Sequence, residues 1–514
     1  MRYASTTSEI PGLFPPRILT MDEYERDWKS QGWNLIIIGP TATWRQEWGT
    51  WEAIRDIVQN ALDESESYSY GYDDQGLWIA DTGRGIGVAD FLLGPPKLKP
   101  DYARGKFGEG MKVGALALLR DGYSVYVKTV NRDIWIIFLQ QKVNGRVETL
   151  SAMWRHSSTT RGTKFYIIGY NGPAYERYFA VNLPKNLILA KVPSPIDKPK
   201  LRVNQLIRAE GMAASSIGGI IYVRDIYLKD IKSPFSYNLW GFELSPDRHG
   251  PKEERAMWVD MGRLWCGIDN VALLQEFLRM VLDPPINDTY ETRQVTMDRY
   301  EMGSDPVTNR LYADLIIEHA SAWKSAWNRV AGANTVIRTI NRWDGMVKHL
   351  GYTSVSVQWG VKDTLSQVID TDTLLIRESQ ERLSETTIVP DHKLTPKAQA
   401  HLALARKIAA KFGVKRVNGA IIPPASDQAR TAGLYYYPTE EIQIHLEQLE
   451  TAQGTLDTVI HELGHHKAYK FTGDITKAED LTPLHSAKLT EVAAYVVAAT
   501  AAGEFDEEFK GAQW

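Results

Sequence analysis

Toward the carboxyl end the chain reads TVIHELGHHKA, with His461 and His465 four residues apart. On a helix that spacing turns both imidazoles to one side, as a tetrahedral zinc ion requires. Glu462, next to the first histidine, can take a proton from a metal-activated water. A second set lies toward the amino end, where Asp56, Asn60 and Asp63 fall at i, i+4 and i+7 and share one helical face. Asp81-Thr82-Gly83-Arg84-Gly85 follows an apolar run. Its glycines let backbone approach a ligand closely, and the Asp81 carboxylate can accept a hydrogen bond from an exocyclic amine. A third stretch, Gly105-Lys106-Phe107-Gly108-Glu109-Gly110-Met111-Lys112-Val113-Gly114, is a glycine-rich loop at a helix start, where successive N–H groups and the helix dipole form a cradle for phosphate.

These side chains need elements to hold them. Trp33 to Gly39 reads as a buried strand, and Trp51, Ile54, Ile57, Val58, Ala61 and Leu62 recur at spacings of three and four, which predicts an amphipathic helix carrying Asp56 and Asn60. Leu77 to Ala80 predicts the strand before Asp81, and MKVGALALLRDG a helix after the glycine-rich loop. YSVYVKTV and DIWIIFLQQ predict a hairpin turning at Asn131-Arg132, and a further strand opens at Gly162-Thr163. Residues 306–350 read as mostly helical, and the polar stretch Arg377 to Asp391 as a linker. The final portion predicts a helix (PKAQAHLALARKIAAKFG), a strand at Ile442 to Leu446 on which a substrate can pair, and helices near 456–470 and 486–502.

The ordered amino-terminal set, over roughly residues 30 to 170, resembles the GHKL superfamily of ATPases, which share the Bergerat fold. The resemblance implies an α/β sandwich with ATP held between helices and a mixed sheet. It further implies that Asn60 ligates Mg²⁺ between the phosphates, that Asp81 reads the adenine amino group, and that Gly83 and Gly85 shape the adenine pocket. Gly105, Gly108, Gly110, Met111 and Lys112 would form the lid over the phosphates, and Thr163 would support the adenine end. Hydrolytic members carry Glu four residues before the Asn; here Asp56 stands there, one methylene shorter, as the implied general base. Glu52 lies one turn further away. In such proteins a second α/β domain, the transducer, supplies a basic residue to the γ-phosphate, and Lys229, Lys232, Arg248 and Lys252 are the candidates within 171–300.

The carboxy-terminal set, over about residues 395 to 510, resembles the zincin metallopeptidases, and Glu491-Val492-Ala493-Ala494 resembles the ExxA pattern of the gluzincin branch. The implied ligands are His461, His465 and Glu491, with Glu462 as general base. Asp474, Glu479, Asp480 and His485 compete for the third position. The metzincin pattern wants Gly and His where Ala468 and Phe471 stand. A carboxylate buried in a helix of small residues, as Glu491 would be, needs a cation beside it. His466, five residues after His461, points away as a neighbour, and His445 sits on the strand before the motif.

The expectation is therefore an α/β (α+β) multidomain chain: a GHKL-type domain at 1–170, a transducer-like α/β domain at 171–300, a mostly helical connector and linker at 301–390, and a zincin-like α+β domain at 391–514. Its 514 residues suit about that many cores. The 39 Gly and 24 Pro exclude collagen-like or low-complexity architecture, and a single cysteine, Cys266, excludes an intramolecular disulfide framework and a thiolate-built zinc site. A net charge of −4 tilts the partner away from nucleic acid and toward a protein or peptide substrate, with an ATP-dependent homodimer allowed. The start, MRYASTTSEIPG, lacks the apolar core of a secretory leader, and no apolar run reaches bilayer length; both fit a cytoplasmic protein without membrane contact. The function expected is ATP-controlled proteolysis using ATP, Mg²⁺ and Zn²⁺. The alternative is a mechanical clamp or chaperone ATPase whose zinc domain only binds.

Overall fold

In the computed structural model the described residues are 10, 14–65, 68–87, 90, 110–142, 146–172, 175–194, 202–209, 218–245, 250–282, 289, 291, 314–339, 343–480 and 482–512. They form a mixed α/β, multidomain protein. The first unit is a sheet of β1 (Ile18–Thr20), β2 (Asn34–Thr41), β3 (Tyr68–Asp73), β4 (Gly76–Asp81), β5 (Ser124–Thr129), β6 (Arg132–Lys142), β7 (Arg146–His156) and β8 (Thr163–Ile168), in the order β2-β7-β6-β5-β8-β4-β3. All pairings on that path are antiparallel; β1 joins β6 in parallel. Side chains alternate across the pleat. Val125 and Val127 face α1 (Thr50–Glu64) and α2 (Gly110–Arg120), whereas Tyr126 and Trp135 face a second layer containing Tyr24, Trp28 and Trp33. Burial on both faces explains why Val125, Tyr126 and Val127 can be apolar at successive positions. The helices cross closely at Gly114, where a β-carbon would stand 3.2 Å from the Ala53 Cα.

The second sheet, β12-β11-β13-β10-β9, is built from β9 (Ile188–Pro193), β10 (Val203–Arg208), β11 (Gly219–Val223), β12 (Ile226–Ile231) and β13 (Phe235–Leu239). Arg224 and Asp225, both with positive φ, make the tight turn between β11 and β12. Packed on this sheet are α3 (Glu254–Cys266) and α4 (Val271–Val281), and the same core takes in Trp323 and Trp327 of α5 (Ala320–Val330). The boundary expected at residue 300 is thus not a break between cores. The boundary at 170 is also bridged: the Trp51 ring of α1 lies 5.0 Å from Tyr175 and 5.1 Å from Tyr178.

Next comes a parallel pair, β14 (Thr335–Ile337) and β15 (Thr353–Val355), connected through α6 (Asp344–His349), then α7 (Trp359–Leu365) and α8 (Asp372–Ser384). The expected linker at 377–391 is largely α8, which begins where the Thr371 side chain accepts from the Leu374 N–H. Leu375 and Ile376 bury with Val347, Leu350 and Ala425, which fixes α8 and α6 against the last unit.

That unit has a sheet ordered β16-β17-β19-β18, from β16 (Thr387–Ile388), β17 (Arg416–Ile421), β18 (Gly433–Tyr436) and β19 (Glu441–His445). Its helices are α9 (Pro396–Ala410), α10 (Ala452–Thr472) and α11 (Pro483–Ala501). The strand expected to receive substrate, β19, has β17 on one side and β18 on the other, so it offers no free edge; β18 is the edge strand.

Candidate functional site

The strongest constellation stands on α10. Its amino end is capped by Thr451, whose side chain accepts from the Gly454 N–H, and its carboxyl end by Gly473 in the left-handed region, at φ 69°. One turn apart inside it, the His461 and His465 Nε2 atoms come within 3.3 Å of each other. Asp480 brings Oδ1 to 2.9 Å from His461 Nε2 and 3.4 Å from His465 Nε2. His485, in the first turn of α11, places Nδ1 at 3.8 Å from the same oxygen. One donor atom from each of the four residues lies within 4.8 Å of every other, so the group can hold a metal ion.

Local chemistry explains the aim of each ring. His465 Nδ1 faces the Ala478 carbonyl at 2.6 Å, and with the proton on that nitrogen the Nε2 lone pair points into the cluster. Thr482 caps α11 by accepting from the His485 N–H, which seats that residue at the start of the helix. Gly464 leaves room for the ring: a β-carbon there would stand 3.0 Å from His485 Nε2.

The charges are strongly coupled. Burial pushes the Asp480 carboxyl up, but the His461 and His465 imidazoles outweigh it and hold the group well below the usual carboxylate range. The bond to Asp480 raises His461. Burial depresses His465, yet Asp480 and Glu462 carry it up to about 9. Burial, then the neighbouring His465, lowers His485 to about 4, so it is neutral at pH 7. A divalent cation bound here would displace protons from the coordinating imidazoles. Three imidazoles and one carboxylate are a donor set suited to zinc. Glu462 is buried beside them, and burial raises its carboxyl above the ordinary value.

Glu491 does not belong to this group. Its half-exposed carboxylate lies 2.7 Å from Lys488 Nζ and 3.0 Å from Lys467 Nζ, and those ammonium groups hold its pKa low. Asp480 and His485 stand in the place expected for it. The reason is register: the buried face of α11 runs through His485, Val492, Val496 and Ala499, and Glu491 sits one residue off that stripe. Among the other candidates, Asp474 accepts from the Thr476 N–H of its own turn, and Glu479 lines the cleft. His466 turns away to the Tyr435 hydroxyl and the Phe412 carbonyl, each at 3.0 Å, and His445 Nδ1 accepts from the Glu447 N–H.

The donor group opens into a cleft of about 540 Å³. One wall is β18 and α10; the other comes from α6 and α8, with Met346, Leu350, Ile376 and Leu383. Of that second wall, α6 lies in the stretch read as helical with nothing to tie it to the cleft, and the polar α8 reads largely as a linker.

At the amino-terminal set, Asn60 Nδ2 donates to Asp56 Oδ2 at 3.1 Å, and Asp56 is buried. Gly110 opens α2 directly against it, since a β-carbon at 110 would overlap the Asp56 carboxylate. Gly110→Ala is expected to lower stability by about 1–3 kcal/mol through overpacking, as read by chemical denaturation. Met111 is half-buried and Lys112 buried in the first turn of α2. Asp81 ends β4, accepts from the Gly83 N–H at 2.7 Å and pairs in register with Thr163; burial raises its carboxyl. The Thr163 and Thr129 hydroxyls meet at 3.1 Å, and Thr129 accepts from the Ile86 N–H. Gly83 packs on Glu64 at the end of α1, and Gly85 takes a φ of 86°. Asp81 and Gly83 therefore sit at the end of α1, beside Glu64, whereas Gly85 packs against Thr129 and Val130. Gly105 and Gly108 lie outside the described residues. Of the basic candidates, Lys229 pairs with Glu254 at 3.2 Å and Lys252 with Glu243 at 3.5 Å, while Arg248 lies outside the described residues. Neither the protein-family models nor the curated proteins contain a match to this chain.

Proposed function

We propose that this chain is a zinc-dependent peptidase joined to an ATP-binding module whose nucleotide state controls proteolysis. The observation that carries the reading is the four-residue donor group beside buried Glu462 at the base of a cleft. His461, His465 and Asp480 would hold zinc, with His485 as a further donor, and the ion supplies Lewis-acid activation of water and of the scissile carbonyl. Glu462 takes the proton from the attacking water and delivers it to the leaving amine, a task its raised carboxyl suits. An extended substrate pairs with the β18 edge, and the apolar wall of Met346, Leu350, Ile376 and Leu383 receives its side chains. Cleavage of a mixed peptide library by wild type and Glu462→Gln, with and without ATP, tests the reading; equal cleavage by both proteins overturns it.

The nucleotide half rests on the contact of Asn60 with Asp56 and on the placing of Asp81 by Gly83 and Thr163. Asp56 would serve as the base for hydrolysis, and Asn60 would hold Mg²⁺. Asn60→Ala is expected to weaken ATP–Mg²⁺ binding by roughly tenfold or more, a loss of at least about 1.4 kcal/mol, measured by titration calorimetry. The same variant should lose any effect of ATP on cleavage.

One observation favours the second reading, a mechanical ATPase with a non-catalytic zinc domain. Structural zinc sites are closed by four protein donors, whereas catalytic ones keep a position open, and four donors are gathered here. ATP turnover that is lost in Asp56→Ala and Asn60→Ala, unaffected by chelation, and accompanied by no peptide cleavage would establish it.

A further inference from the structure

The Asp480 carboxylate has two sides. Oδ1 faces His461, His465 and His485, and Oδ2 lies 3.3 Å from the Nε2 of His349. His349 is the last residue of α6, far upstream of the zincin-like stretch, and its ring lines the same cleft. The helix is held in place from several directions. Val347 and Leu350 are buried with Ile376 and Ala425, the Ser426 hydroxyl donates to the Leu350 carbonyl at 2.6 Å, and Asp344 meets Arg338 at 3.0 Å. A β-carbon on Gly345 would come within 3.8 Å of the Asp480 carbonyl, so α6 runs alongside the segment that carries the ligand.

We infer that His349 is a positioning residue for the metal centre: it holds Asp480 Oδ2, so that Oδ1 is presented to the ion, and the centre is thereby completed by a helix outside residues 391–514. On the Oδ1 side the carboxylate meets only the imidazoles that an ion would also engage, and a fixed partner on its far oxygen narrows its χ angles independently of them. The inference rests on the metal-site half of the proposed function. It adds that the upstream β14–α6–β15 unit touches the metal centre, which gives the rest of the chain a physical handle on zinc affinity.

The test is zinc uptake by the full chain, read by competition with a chromophoric chelator, together with the visible absorption of the cobalt-substituted protein. His349→Ala should bind zinc about 10–100-fold more weakly and change the cobalt spectrum. His349→Gln, which keeps a donor nitrogen at the same reach, should restore both. In an Asp480→Ala background, His349→Ala should cost nothing further, since its action passes through that carboxylate. The ring is about half exposed, so the melting temperature of the metal-free chain should not move. Undiminished zinc binding by His349→Ala, failure of the Gln variant to restore it, or a further loss on top of Asp480→Ala would overturn the inference. A wild-type chain that binds zinc and cleaves nothing overturns the peptidase reading alone; one that takes up no zinc overturns both.

Discussion

Glu462→Gln is expected to remove peptide hydrolysis by on the order of 10²–10⁴-fold while zinc stays bound. The amide has the same shape as the carboxylate and fits the same buried position, so fold and metal group persist. It cannot accept the proton of the attacking water. Burial is what equips this group for the task, because desolvation strengthens it as a base, and the neighbouring His461 and His465 pull in the opposite direction. Zinc content by atomic absorption and initial rates on the same preparation check both halves. A variant that keeps zinc and its full rate removes Glu462 from the chemistry.

Asp480→Ala is expected to lower zinc affinity by on the order of 10³-fold, more than loss of an outer partner costs, whereas Glu491→Ala should leave it unchanged. Among the described residues Asp480 is the carboxylate grouped with three imidazoles, and its removal takes from His461 and His465 the charge that lies nearest them. Glu491 spends its charge on two surface lysines, and exposed pairs of that kind contribute about 0–1 kcal/mol to stability. Competitive titration of the two variants side by side separates the two assignments of the third ligand. Equal loss in both, or loss only in Glu491→Ala, would restore the gluzincin-like ligand set.

Much of the local structure was legible because it is periodic. The amphipathic repeat of Ile54, Ile57, Val58 and Ala61 marked α1, and the alternation after Asn131 marked the β5–β6 hairpin, whose turn residue has a φ of 59°. The helix that carries His461 and His465 was readable for the same reason, since four residues make one turn. The place of Asp480 was not, because it reaches the donor group from an irregular segment whose path depends on Ala478 and on the packing of α11. A partial signal existed: His485 is in step with Val492, Val496 and Ala499, and Glu491 is not. The strand β7 (RVETLSAMWRH) and the helix α8 were missed because polar side chains dilute their patterns, and tertiary packing supplies what propensity lacks.

The shared core that crosses residue 300 has a practical consequence for dissecting the chain. Trp265 and Phe277 stack at 4.5 Å on one side of that point, and Trp323 and Trp327 close over them from the other. A fragment ending at 300 would leave this aromatic face wet, and a fragment starting there would carry the matching rings with nothing to cover. Neither piece would cover its own share of that core. A chain divided at 300 should therefore stay together as an associated pair, and the same reasoning disfavours a cut just beyond Ile369, where Val347 and Leu350 would be parted from Leu375 and Ile376.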